Sequence, residues 1–213
     1  MSAENTTKLR ALKAVFSRCC VWAAIAAASL LALAPGAALS GEHDHHGQGV
    51  DAMRGMYTRS VAAYTIPDLK LVDMHGTAVS LRDGLGGKDP VLLNFIFTTC
   101  TAICPVMSAT FHHVQDRLGP ESSKVRMISI SIDPENDTPA KLMEYAVKYR
   151  AGPQWTLLTG SAGNSIAVQR AFGVYRGDKM NHAPATFIRA GGADQPWVRL
   201  DGFASAPESL AAG

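Results

Sequence analysis

An α/β sandwich is the fold class predicted by three features of this sequence. They are two continuous apolar runs of strand length at 91–97 and 125–132, helix-patterned stretches after each, and turn residues between them. Pro90 introduces Val91-Leu92-Leu93-Asn94-Phe95-Ile96-Phe97, which lacks polar alternation and so predicts a central strand covered on both faces. Residues 106–118 follow as a helix, and the β-branched residues of 125–132 give a second buried strand. Upstream, 69–72 and 78–81 flank Asp73-Met74-His75-Gly76, where Gly76 supplies positive φ for an N-terminal β-hairpin. Downstream, Thr138 and Pro139 read as N-cap and first position of a helix over 140–149. A strand at 155–158, a helix at 161–172 and strands at 185–188 and 197–200 complete the series. Strand-helix alternation places parallel strands at the centre, the hairpins make the sheet mixed, and helices cover both faces. Ligands of such sheets sit at the carboxyl ends of the strands, which is where Cys100 falls.

Three regions are predicted. Residues 1–40 combine a basic start (Lys8, Arg10, Lys13, Arg18) with an apolar run from Cys19 to Ala34 and small residues before Gly41. This is the pattern of an export signal, cleaved or kept as an anchor over 19–40. Residues 41–60 are polar and read as a flexible tether whose cluster Glu42-His43-Asp44-His45-His46 suits weak metal capture. The folded domain is assigned to 61–213. Removing 1–40 takes away four basic residues and Glu4, so the formal charge of +2 becomes −1. No basic surface remains to recruit nucleic acid. An exported bacterial-type chain meets the oxidising periplasm, either free or held at the inner membrane.

Cys100 and Cys104 are the cysteines left after 1–40, and they offer a disulfide, a redox pair or a two-thiolate metal site. Pro105 is expected to open the following helix, with Cys104 at its cap and Cys100 in the loop before it, where backbone N–H groups favour thiolate at both. A disulfide closing so short a loop gains little as a staple. Two thiolates alone make a poor structural zinc site, whereas soft sulfur plus one imidazole suits Cu(I). His182, in a loop leading into the strand at 185–188, is the histidine placed to complete that set. His75 reads as a turn residue, His112 and His113 as helix-face residues. Asp133 ends the second buried strand on the same edge as Cys100, where its carboxylate would either fix a ligand loop or serve as a turn or capping residue; Asp137 reads as helix initiation. Met107 and Met180 carry soft sulfur but read as packing residues.

The segments Asn94-Phe95-Ile96-Phe97-Thr98-Thr99-Cys100-Thr101-Ala102-Ile103-Cys104-Pro105, Ser131-Ile132-Asp133-Pro134-Glu135-Asn136-Asp137-Thr138-Pro139 and Trp155-Thr156-Leu157-Leu158-Thr159-Gly160, followed by His182, occur in an order that resembles the SCO/SenC copper-binding assembly factors of cytochrome c oxidase. The resemblance spans roughly 62–203. It implies a thioredoxin-like fold and copper, as Cu(I) or Cu(II), held by Cys100, Cys104 and His182. It also implies oxidase subunit II or a similar copper-receiving protein as client. A thiol reductant or another copper chaperone would act upstream. The alternative function is a thiol-disulfide oxidoreductase that reduces the client's copper-ligand cysteines through Cys100 and Cys104. A peroxidase is disfavoured because Phe97 stands where related peroxidases place Thr or Ser. Three departures from the family pattern stand out. Asn181 precedes His182 where Asp is common, Pro184 resembles the proline beside the dithiol of thioredoxins, and the terminal helix is expected to be short.

Overall fold

The computed structural model describes residues 56–213; the predicted signal over 1–40 and the tether histidines His43, His45 and His46 lie outside the described residues. At the centre is β4 (Val91–Ile96), buried at every position. It runs parallel to β5 (Arg126–Ser131), which runs parallel to β6 (Trp155–Thr159). On the other side of β4, β7 (Ala185–Arg189) is antiparallel and is followed by antiparallel β8 (Trp197–Gly202). The predicted hairpin is present as β2 (Lys70–Asp73) and β3 (Ala78–Ser80), and β2 docks antiparallel on β6. Its turn forms as the sequence requires: Gly76 takes φ +84°, and Asp73 Oδ1 accepts from the backbone N–H groups of His75 and Thr77 at 2.9 and 2.8 Å.

One strand lies partly in the predicted tether. β1 (Tyr57–Ala62) pairs antiparallel with β8, so residues 57–60 belong to the sheet and the ordered fold begins before Val61. The polar β1 shows no hydrophobic period because it is an edge strand held by its ladder to β8. The mixed sheet therefore reads β1-β8-β7-β4-β5-β6-β2-β3.

Helices cover both faces, as the alternation along β4 dictates. Leu92 and Ile96 join a core with Phe111 and Val114 of α2 (Ile103–Leu118), Leu142 and Tyr145 of α3 (Pro139–Lys148), and Ala206 of α5 (Ala206–Ala212). Val91, Leu93 and Phe95 point the other way, onto Leu81 and Leu85 of the short α1 (Leu81–Leu85) and Val168 of α4 (Ala162–Ala171). The start of α3 is as predicted, with Thr138 Oγ1 accepting from Lys141 N–H at 3.3 Å and Pro139 in the first turn. The expected short terminal helix is α5; Glu208 caps Ser205 N–H at 2.7 Å. Among the described residues no helix is long and apolar enough to cross a membrane.

Candidate metal centre

The chain leaves β4 through a tight loop in which Cys100 N–H donates to the Phe97 carbonyl at 3.2 Å. Phe97 N–H points at Cys104 Sγ at 3.5 Å, and Cys104 N–H at Cys100 Sγ at 3.4 Å. Both cysteines are free thiols, Cys104 fully buried and Cys100 half-buried. The helix begins earlier than Pro105: α2 opens at Ile103 with Ala102 as its N-cap, which puts Cys104 and Pro105 inside the first turn. Proline is accommodated there because first-turn N–H groups have no helical acceptor to lose.

The two thiols differ, which corrects the expectation of thiolate at both. Burial works against ionisation of Cys100, but the N–H groups of Cys104, Ala102 and Ile103 outweigh it and bring its pKa below the ordinary 9.0. At Cys104 burial dominates, reinforced by Cys100 and the Asp137 carboxylate, and the pKa moves well above the ordinary value. Alkylation of the reduced protein at neutral pH is therefore expected to mark Cys100 long before Cys104, because Cys100 ionises at the lower pH and is the more exposed of the two. Peptide mass mapping checks this; equal labelling would contradict it.

His182 follows a one-turn 3-10 helix (Lys179–Asn181) and is 7% exposed. Its Nε2 lies 3.1 Å from the Phe95 carbonyl. A carbonyl only accepts, so Nε2 carries the hydrogen and Nδ1 keeps the lone pair. Burial lowers the His182 pKa, a shift opposed by the Phe95 hydrogen bond, so the ring is neutral and able to ligate at pH 7. The imidazole thus takes its orientation from the sheet backbone, and Asn181, where the family pattern favours Asp, is exposed. Pro184 directs its carbonyl to Gly202 N–H at 2.9 Å, a sheet role.

Cys100 and His182 line one cavity of about 150 Å³ together with Phe97, Ile103, Lys179 and Met180. The structure brings the two cysteines together and brings Cys100 and His182 to a shared cavity. It does not close all three into one ligand set; among the described residues no group of three His, Cys, Asp or Glu side chains stands ready to hold an ion. The donors fit copper in kind, two sulfurs and a neutral imidazole nitrogen. The other described histidines lie elsewhere. His75 is exposed in the β2–β3 turn, His113 is exposed on α2, and His112 faces Asp116 at 3.3 Å. Met107 is buried in the core, whereas Met180 is exposed at the cavity.

Asp133 and Asp137 tie the two ligand-bearing loops together. Asp133 receives Lys179 Nζ at 2.6 Å, three residues before His182, and Asn136 Nδ2 at 3.0 Å to each oxygen. Hydrogen bonding to Asp133 raises the Lys179 pKa, so the ammonium persists through neutral pH. Asp137, read from sequence as helix initiation, is fully buried and leaves the capping to Thr138. Its carboxylate accepts from Thr98 N–H at 3.1 and 3.2 Å, Thr98 Oγ1 at 2.6 Å and Ser131 Oγ at 2.5 Å. Ser131 Oγ in turn accepts from Asp133 N–H at 3.0 Å. The chain Thr98–Asp137–Ser131–Asp133–Lys179 thus runs from the cysteine loop to the histidine turn. Two signals marked it: an acid made redundant for capping by its neighbour Thr138, and serines recurring in the apolar strand β5.

The SCO1/SenC family model matches residues 58–191. The chain belongs to the SCO1/SenC family. Among curated proteins it is 35% identical over 116 residues to the SCO1 protein homolog of Bacillus subtilis (strain 168), covering 54% of this chain and 59% of that one. The chain thus spans little more than half the length of that relative. Bradyrhizobium japonicum ScoI, solved with copper bound, is 28% identical with a TM-score of 0.53, the match covering 62% of this chain and 87% of that one. BsSco, described as a member of the Sco family of cytochrome c oxidase assembly proteins with a disulfide switch, is 30% identical with a TM-score of 0.57, over 68% of this chain and 86% of that one. The mixed eight-stranded sheet with helices on both faces is the thioredoxin-like architecture of these SCO1/SenC structures.

Proposed function

We propose that this SCO1/SenC protein is a copper metallochaperone in which Cys100, Cys104 and His182 hold copper as cargo. Ligand exchange then passes the ion to a copper-receiving protein such as subunit II of a respiratory oxidase. The observation that carries this reading is the cavity shared by Cys100 and His182, with Cys104 N–H directed at the same Cys100 Sγ. The copper-bound ScoI of Bradyrhizobium japonicum supports it. Cys100 supplies the first thiolate. Binding then displaces the proton from the buried Cys104, so uptake of Cu(I) releases acid. His182 offers Nδ1 once its turn moves inward, and moving it strains the Lys179–Asp133 ion pair, which favours return and release. Export by residues 1–40 to the periplasm, with the signal cleaved or kept as an anchor, belongs to the same proposal.

Thiol reduction is the test. Full-length reduced protein is expected to bind one equivalent of Cu(I) tightly, and protein oxidised to the Cys100–Cys104 disulfide to bind none with comparable affinity. Equal binding by both forms would sink the clamp.

The asymmetry of the thiols favours a second, linked reading. A half-buried Cys100 of lowered pKa can attack a partner disulfide, forming a mixed disulfide and releasing one partner thiolate. Buried Cys104 then loses its proton and attacks Cys100 Sγ, expelling the second partner thiolate. The partner gains two electrons, and this chain is left as the disulfide until an external thiol reductant restores it.

A further inference from the structure

The described residues leave four large apolar side chains exposed, Met56, Val61, Val147 and Met180. Of these, Met180 lines the cavity of Cys100 and His182 and is itself 73% exposed. Before copper binds, its turn is held outward: Met180 N–H donates to Asp178 Oδ1 at 2.9 Å and its neighbour Lys179 is paired with Asp133 at 2.6 Å. A methionine displayed this way forgoes the burial that ordinarily stabilises the side chain. What it displays is a thioether sulfur beside a thiolate site. Thioether sulfur is a soft ligand that carries no proton, so Cu(I) can bind it without displacing one. The remaining donors are less accessible: Cys104 has no exposed surface and His182 is buried against Phe95. At the rim, the sulfurs that meet an arriving ion are those of Cys100 and Met180.

We infer that Met180 is a capture ligand for Cu(I), binding the arriving ion together with Cys100 and yielding it to Cys104 and His182 as the clamp closes. The inference rests on the copper reading above and adds to it a fourth, transient donor. No redox change is involved. One metal–thioether bond forms, then breaks as metal–thiolate and metal–imidazole bonds replace it, and the Cys104 proton leaves to solvent.

The test uses reduced full-length protein labelled at the methionine methyl groups and titrated with Ag(I), a redox-inert stand-in for Cu(I). Among the eight methionines of the sequence, the Met180 methyl resonance is identified by its loss in Met180→Leu, an exposed substitution that keeps the apolar bulk. In Cys104→Ser, which cannot complete the clamp and so holds the ion at the capture stage, the Met180 methyl is expected to shift below one equivalent of Ag(I). Met180→Leu is expected to take Cu(I) from its bathocuproine disulfonate complex about tenfold more slowly than wild type while reaching the same final affinity. An unmoved Met180 methyl, or a variant loading at the wild-type rate, overturns the inference. If wild-type protein itself shows no thiol-dependent Cu(I) uptake, the clamp reading falls and this inference with it. Normal wild-type uptake beside an unchanged variant removes Met180 alone.

Discussion

Replacing Asp137 with alanine is expected to lower the unfolding free energy by about 3–5 kcal/mol, a large share of the stability of a domain this size. The carboxylate has no exposed surface and takes hydrogen bonds from Thr98 N–H, Thr98 Oγ1 and Ser131 Oγ. Alanine would strand those donors where little water can reach them, at about 1–3 kcal/mol for each unsatisfied group. The damage falls on the site as well, because Thr98 lies two residues before Cys100 and Asp137 is its anchor to β5. Copper affinity is expected to drop by about tenfold even in molecules that stay folded, the usual cost of losing a group that positions a ligand. Asn at this position keeps the volume and one acceptor but turns an NH₂ group toward a donor, so it should fall between wild type and alanine. Denaturant unfolding monitored by tryptophan fluorescence checks the series. A loss for Asp137→Ala below about 1 kcal/mol would mean that the stranded donors find water and that Asp137 does not anchor the loop.

That anchor shows where sequence reasoning reaches its limit. Strands β4 and β5, the Asp73–Gly76 turn and the Thr138 cap were legible because each depends on nearby residues: an apolar run, a glycine at positive φ, a hydroxyl three residues from its donor. The early start of α2 was not, since Pro105 is compatible with more than one position in a first turn. Strand β1 was missed because its polar residues gain their order from a ladder to β8, far along the chain. The motif residues Cys100, Cys104 and His182 were recognisable by resemblance, and the structure places Cys100 and His182 on one cavity. What the sequence could not display was the difference between the thiols, which comes from the deeper burial of Cys104. Nor could it display the Phe95 carbonyl that fixes the His182 tautomer. Asp137 looked like a helix-start residue because its partners Thr98 and Ser131 become neighbours only after β4 and β5 pair.

Removing the His182 imidazole is expected to weaken Cu(I) binding by more than about a hundredfold, since losing a group that merely supports a ligand already costs ten- to a hundredfold. The thiols should remain, so His182→Ala keeps its one-equivalent stoichiometry and its capacity for disulfide exchange. Alanine also leaves the Phe95 carbonyl without its donor and opens space beside Phe97. Retention of preferential Cys100 alkylation in the variant separates a lost ligand from a disrupted loop. The second reading makes the opposite demand: a protein that only exchanges disulfides has no use for the imidazole nitrogen as a ligand, and its copper affinity would not depend on it.

The decisive measurement is a competition titration of Cu(I) between a chelator and the reduced full-length protein, run side by side for wild type and His182→Ala. A clamp of Cys100, Cys104 and His182 predicts one tightly held Cu(I) in wild type and a loss of more than about a hundredfold in the variant. Equal affinities for the two proteins would contradict it.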